Sequence, residues 1–122
     1  MPDKPGKAMI FACSGASNCG QITNAVAVKL ASEELVIMSC LAGIGSHTQK
    51  YVDGALNAGR VVAIDGCAVA CTKKTLEHAQ IPVSAWICVT DEGIKKTSGR
   101  FEYSPDDLSK VYELVMVALQ QK

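Results

Sequence analysis

Three short apolar runs in this chain each lead into a cysteine at nearly the same distance. Ala8-Met9-Ile10-Phe11-Ala12 runs into Cys13, the run from Glu34 to Ser39 into Cys40, and Arg60-Val61-Val62-Ala63-Ile64 is followed closely by Cys67. The runs are continuous rather than alternating in polarity. That is the pattern of strands buried on both faces, which belong to parallel sheets covered by helices. If the three are neighbouring strands of one sheet, three thiols emerge at the same edge. Cys71 then joins them, one helical turn past Cys67.

The intervening segments carry helical spacing. A helix is expected over about residues 20–32, with Ile22, Ala25, Val26 and Leu30 on one face. Others are expected over about 48–57, with Gly59 as a C-terminal stop, and 68–79, before Pro82. Strands are expected over 7–12, 35–39, 60–64 and 83–90. Ser104-Pro105-Asp106-Asp107 reads as the start of a last helix, with Ser104 as N-cap, Pro105 at the first position and Asp107 at the third. Its apolar stripe is Leu108, Val111, Leu114, Val115, Ala118 and Leu119, ending near 120. Arg100 to Tyr103 could form a short edge strand. Strand and helix alternate throughout, so the expected fold is α/β. It is a single-domain, three-layer sandwich over residues 1–122, with a mostly parallel sheet of about four strands, helices on both faces, and a Rossmann- or flavodoxin-like topology with right-handed crossovers.

Composition removes several classes of function. Twelve basic and twelve acidic residues cancel, and Arg60 and Arg100 are the two arginines, so a nucleic-acid surface is not expected. The apolar stretches are too short to span a membrane, and the N-terminal segment lacks the pattern of a secretory leader. The chain therefore reads as cytoplasmic. Six cysteines in that setting favour metal binding or thiol chemistry over a disulfide framework. A single free cysteine is often just a small buried hydrophobe. Four at equivalent places in successive units are harder to explain that way.

Ligands of open parallel sheets bind beyond the carboxyl ends of the strands. Here that edge carries Cys13-Ser14-Gly15-Ala16-Ser17-Asn18-Cys19-Gly20, Cys40 to His47, Asp65-Gly66-Cys67-Ala68-Val69-Ala70-Cys71 and Thr90-Asp91-Glu92-Gly93. Small residues dominate, which lets backbone N–H groups approach a ligand. Cys67 and Cys71 would face the same way on a helix. With Cys13 and Cys40 they supply four thiols, the donor set of a tetrahedral Zn²⁺ site or of an iron–sulfur cluster. Cys19 would lie at the mouth of the site or start the first helix, and Cys88 falls inside the fourth strand, as core. His47 could be a ligand or a proton carrier, but reads first as a helix-start surface residue, and His78 reads as a solvated residue near a helix end. Asp65 could bond loop amides or a group behind the ligands, or serve as a turn residue before Gly66. Lys73-Lys74 and Lys95-Lys96 read as solvated faces.

Other motifs fail. The sixth position after Cys13 is Cys19 and not the arginine that a phosphatase loop needs. Gly43-Ile44-Gly45 lacks the third glycine of a dinucleotide fingerprint.

Cys13-Ser14-Gly15-Ala16-Ser17-Asn18 with Gly20-Gln21, the segment Ser39-Cys40-Leu41-Ala42, and above all Asp65-Gly66-Cys67-Ala68-Val69-Ala70-Cys71 resemble the DGC-domain family, which is named for its Asp-Gly-Cys tripeptide. The resemblance covers nearly the whole chain. It implies zinc chelation by four cysteines, which fall here on Cys13, Cys40, Cys67 and Cys71, and it names no reaction. Three functional expectations follow. The first is a Zn²⁺-binding protein. The second is a thiol enzyme, redox or transfer, with Cys13 as nucleophile and Cys19 or another cysteine resolving it. The third is an iron–sulfur protein on the same thiols. The partner expected is a metal ion, and the apolar first and last helices leave room for a homodimer.

Overall fold

Successive residues of a strand face opposite ways, and in this chain that alternation splits the core into two halves. On β1 (Ala8–Ala12), Ala8, Ile10 and Ala12 face one side, and Met9 and Phe11 the other. On β3 (Val61–Asp65), Val62 and Ile64 are set against Val61 and Ala63 in the same manner. The first side is covered by α1 (Asn18–Ser32) and α5 (Pro105–Gln120), through Ile22, Val26, Leu30, Val111 and Val115. The second is covered by α2 (Leu41–Gly45), α3 (Gln49–Asn57) and α4 (Cys71–His78), through Ile44, Ala55 and Leu76. Phe11 is fully buried in the second half, and its truncation to alanine would cost about 3–5 kcal/mol. The computed structural model in which these contacts are seen describes residues 7–121. The N-terminal segment considered above lies, up to residue 6, outside the described residues.

The sheet is completed by β2 (Val36–Met38) and β4 (Ala85–Cys88), in the order β2-β1-β3-β4, with every pairing parallel. This is the expected three-layer α/β sandwich. The chain leaves β1 toward β2 on one side and returns to add β3 on the other. The switch point of the sheet therefore lies between the carboxyl ends of β1 and β3, where open α/β sheets form their ligand crevice. Among the described residues, no helix is long and apolar enough to cross a membrane.

Several boundaries differ from the sequence reading. The first helix starts at Asn18, because Ser17 accepts the N–H of Gly20 and acts as the N-cap. The loop after Cys40 contains the unforeseen helix α2. The fourth strand ends at Cys88, where Val89–Glu92 form a 3-10 turn closed by Gly93 at φ 84°. Arg100 to Tyr103 is not a strand. The pairing nearby is a single antiparallel bridge between Ser98 and Ser17. The third expected helix begins only at Cys71, so Cys67 lies in a turn and does not share a helical face with Cys71. The break is Ala70, held in the left-handed region at φ 60°, which no helix tolerates in its interior.

At the opposite end of the sheet, Arg60 gives its guanidinium to the carbonyls of Ala118 and Leu119 at 3.0 and 2.9 Å. It joins the Gln121 N–H on the carbonyl of Ala118 and satisfies that of Leu119 in the last turn of α5, where a cation is favoured.

Candidate functional site

The loop after β1 is held from the side by α1. Gln21 donates to the carbonyl of Gly15 at 3.0 Å, and Thr23 accepts the N–H of Ser14 at 3.0 Å. Ser14 itself sits in the left-handed region at φ 53°. The backbones meet so closely here that a Cβ on Gly20 would stand 2.5 Å from the carbonyl oxygen of Gly15. This packing fixes Cys13. Its backbone N–H donates to Ile64 at 3.1 Å, and its Sγ lies 3.6 Å from Thr23 Oγ1. Thr23 gives its one hydroxyl proton to Gly20 across 2.6 Å. The Cys13 thiol is therefore the donor toward Thr23.

The loop after β3 approaches from the other side of the switch point. Gly66 donates its N–H to Cys13 Sγ at 3.4 Å. A Cβ on Gly66 would stand 2.8 Å from the backbone nitrogen of Gly20, so only glycine lets the two loops meet. Asp65, 1% exposed, holds this loop in place. Its carboxylate accepts the N–H groups of Thr72 and Lys73 at 2.7 and 3.0 Å and the indole N–H of Trp86 at 2.9 Å. It thus caps the first turn of α4 from the end of β3, which replaces the missing side-chain cap at Ala70. Asp65 does bond backbone amides, but those of the first turn of α4 rather than of the loop.

A third segment closes the site. Residues 94–99 lie across the start of α1, held by Asn18, which donates to the carbonyl of Lys95 at 2.9 Å and accepts the N–H of Thr97 at 2.7 Å. Gly99 also donates to Ala16 at 3.1 Å. This strap brings the ammonium of Lys96 to 3.5 Å from Cys67 Sγ. The sequence marked Lys96 as part of a solvated face. No local pattern foretells its placement, because it depends on tertiary bonds to Asn18.

Around these loops lie two clefts with one wall in common. A cleft of about 290 Å³ at the switch point is lined by Cys13, Cys67 and Cys71, with Lys96 at its rim and the glycines 15, 20 and 66 in its wall. A shallower cleft of about 510 Å³ is lined by Cys13 and Cys40, with Ser14, Ser39 and Thr75. Cys13 is the shared residue. Cys13 and Cys67 are half-buried, and Cys40 and Cys71 are exposed. All six cysteines are free thiols. Among the described residues, no three His, Cys, Asp or Glu side chains converge closely enough to hold a metal ion. The four thiols have the donor chemistry of a soft-metal site, but in this arrangement they are divided between two clefts.

The two remaining cysteines are buried. Cys19 is inaccessible in the first turn of α1, with its sulfur 3.7 Å from the carbonyl of Ile94. Burial pushes its thiol above the ordinary 9.0, and the nearby Cys67 adds to the shift. Cys19 therefore starts the first helix and does not stand at the mouth of the site. Cys88, 3% exposed, sits at the end of β4 with its sulfur 3.4 Å from Thr90 Oγ1. The two histidines, read separately as surface residues, face each other with ring centroids 5.6 Å apart. They line a third cleft of about 350 Å³ with Lys74 and Thr75.

A model of the DGC domain matches residues 9–115 of the chain. The chain is also similar to the anaerobic and virulence modulator AnvM of Pseudomonas aeruginosa, with 34% identity over 98 residues that cover 80% of this chain and 74% of that protein. No solved structure matches it. The match spans both cysteine loops, the Asp65 cap and the glycine contact beneath them, and the chain belongs to the DGC-domain family.

Proposed function

We propose that this protein carries out thiol chemistry on a small, soft electrophile at the switch-point cleft, with Cys13 as the reacting thiol and Cys67 as its partner. One observation carries the reading. Cys13 and Cys67 line the same cleft of about 290 Å³, which is space for a small molecule and more than an ion fills. With a disulfide as the electrophile, Cys13 loses its proton to solvent and its sulfur bonds to one sulfur of the disulfide. The other sulfur leaves as a thiolate and takes up a proton. Cys67 then attacks Cys13 Sγ and expels the second small thiol. The substrate gains two electrons, and the protein ends with a Cys13–Cys67 disulfide. Gly66 directs its N–H at the attacking sulfur, and Lys96 places a positive charge in the cleft. Cys19 is too buried to serve as the resolving thiol. Such chemistry suits a reducing compartment, in keeping with a cytoplasmic setting.

The test is the rate of reaction with 2-hydroxyethyl disulfide in Cys→Ser variants. Cys13→Ser should abolish the species two mass units lighter that marks an internal disulfide, and Cys40→Ser should leave it. Persistence of that species in Cys13→Ser would remove Cys13 from the role.

A second reading places Zn²⁺, or an iron–sulfur cluster, on Cys13, Cys40, Cys67 and Cys71. It is supported by the soft-donor chemistry of four free, partly or fully exposed thiols at one edge of the sheet. Metal content per chain after purification without oxygen decides it. About one zinc, or iron with matching sulfide, lost on Cys13→Ser and Cys40→Ser alike, would favour this reading.

A further inference from the structure

The clefts described above form a chain of neighbours. Cys13 lines both the switch-point cleft and the Cys40 cleft. Gly45 and Thr75 line both the Cys40 cleft and the cleft of the paired histidines. A surface path therefore runs from the sulfur of Cys13, past Ala42 in α2, Gly45 at its end and Thr75 of α4, to His47 and His78. At its far end the titratable side chains are His47, Lys74 and His78, and no carboxylate lines the cleft. In a chain with zero formal net charge, this is a local concentration of groups that bind anions. His47 is held there by a left-handed backbone at φ 58°, a conformation that histidine adopts more readily than most residues. The ring pair has a centroid separation of 5.6 Å and a tilt of 56°, which leaves both rings edge-accessible rather than stacked face to face.

We infer that the ligand of the thiol centre is elongated, with a soft electrophilic group that meets Cys13 and an anionic group seated between His47, Lys74 and His78. The inference rests on the thiol reading and extends it to a substrate class: a disulfide of a low-molecular-weight thiol that bears a carboxylate or phosphate at a distance from its sulfur. The covalent step is the exchange already described. Cys13 Sγ bonds to one substrate sulfur, the other sulfur leaves as a thiolate and is protonated, and the anionic group takes no part in the electron balance. Lys74 and the two histidines are binding residues here, since they do not reach the reacting sulfur.

The experiment compares three disulfides as probes on the intact chain: glutathione disulfide with carboxylates, coenzyme A disulfide with phosphates, and neutral 2-hydroxyethyl disulfide. Mixed-disulfide formation at Cys13 is followed by mass spectrometry. The expected result is a rate with one anionic probe about tenfold above the neutral one, equivalent to about 1.4 kcal/mol. Which probe is favoured identifies carboxylate or phosphate. In Lys74→Gln and His78→Gln the ratio of anionic to neutral rates should fall toward one, and in the distant Lys110→Gln it should stay as in the parent. Equal rates with all three probes, or a preference that survives both variants, would overturn the inference and leave the thiol reading standing. Failure of all three probes to modify Cys13 would instead overturn the thiol reading, and the substrate class with it.

Discussion

Gly66 donates its backbone N–H to the sulfur of Cys13 across 3.4 Å, so the Asp-Gly-Cys loop after β3 touches the thiol after β1 directly. The contact exists because Gly66 and Gly20 pack with no room for a side chain. The tripeptide then divides its work by residue. Asp65 anchors the loop to α4 and Trp86, Gly66 permits the approach, and Cys67 supplies the second thiol of the cleft.

Gly66→Ala should destabilise the fold by about 1–3 kcal/mol, because the new methyl meets backbone atoms at 2.8–3.0 Å that cannot rotate away. Gly59→Ala is the matched control. Its Cβ meets nothing within 4 Å, so its unfolding midpoint in urea should stay within about 0.5 kcal/mol of the parent. Equal midpoints for the two variants would contradict the close packing of the loops.

Asp65→Ala leaves the N–H groups of Thr72 and Lys73 and the indole of Trp86 without their acceptor. Loss of about 3 kcal/mol is expected, since each buried donor left unpaired costs about 1–3 kcal/mol and some find water. Asp65→Asn keeps one acceptor oxygen and should lose less. Urea unfolding followed by Trp86 fluorescence reads both, and the emission should also shift when its indole loses its partner.

Cys19 gives an alkaline limit to stability. Burial, foremost, keeps its thiol protonated above the ordinary 9.0. The folded state therefore holds this proton more tightly than the unfolded chain does. The contribution is complete below pH 9.0 and is lost as pH rises through the raised folded value. Cys19→Ala removes this term, so the drop in stability between pH 8 and pH 10 should be smaller in the variant than in the parent. An identical drop would show that Cys19 does not titrate differently in the two states.

Glu33 sets a matching acid-side term on the far side of the molecule. The hydroxyl of Tyr112, and then the ammonium of Lys29, hold its carboxyl below the ordinary 4.5. The stabilisation is present above pH 4.5 and is lost as pH falls through the lowered folded value. In Tyr112→Phe the Glu33 titration, followed by NMR, should move up toward the ordinary value.

The strands and the two-sided core were legible in the sequence because continuous apolar runs have few other uses: Ile10, Phe11, Val62 and Ile64 are buried as their spacing requires. The last helix was legible from chemistry, since Ser104 caps it through the N–H of Asp107 as a Ser-Pro-Asp-Asp start implies. The start of α4 was misplaced, because helical spacing over 68–79 gives no sign that Ala70 takes a left-handed turn or that Asp65 provides the cap from a strand. The gathering of Cys13 and Cys67 at one edge could be read from their positions after apolar runs, whereas Cys71 reaches the same cleft from the first residue of α4 and not along a helical face shared with Cys67. The strap that delivers Lys96 and the meeting of His47 with His78 could not, since both arise from contacts between segments distant in sequence, with no periodic signal of their own.

The most direct test of the thiol account is peptide mapping of the protein after one equivalent of 2-hydroxyethyl disulfide, with free thiols blocked at the moment of quenching. The account predicts a disulfide joining the peptide of Cys13 to that of Cys67, with Cys19 and Cys88 still reduced. A disulfide that excludes Cys13, or modification confined to the exposed Cys40 and Cys71, would contradict it.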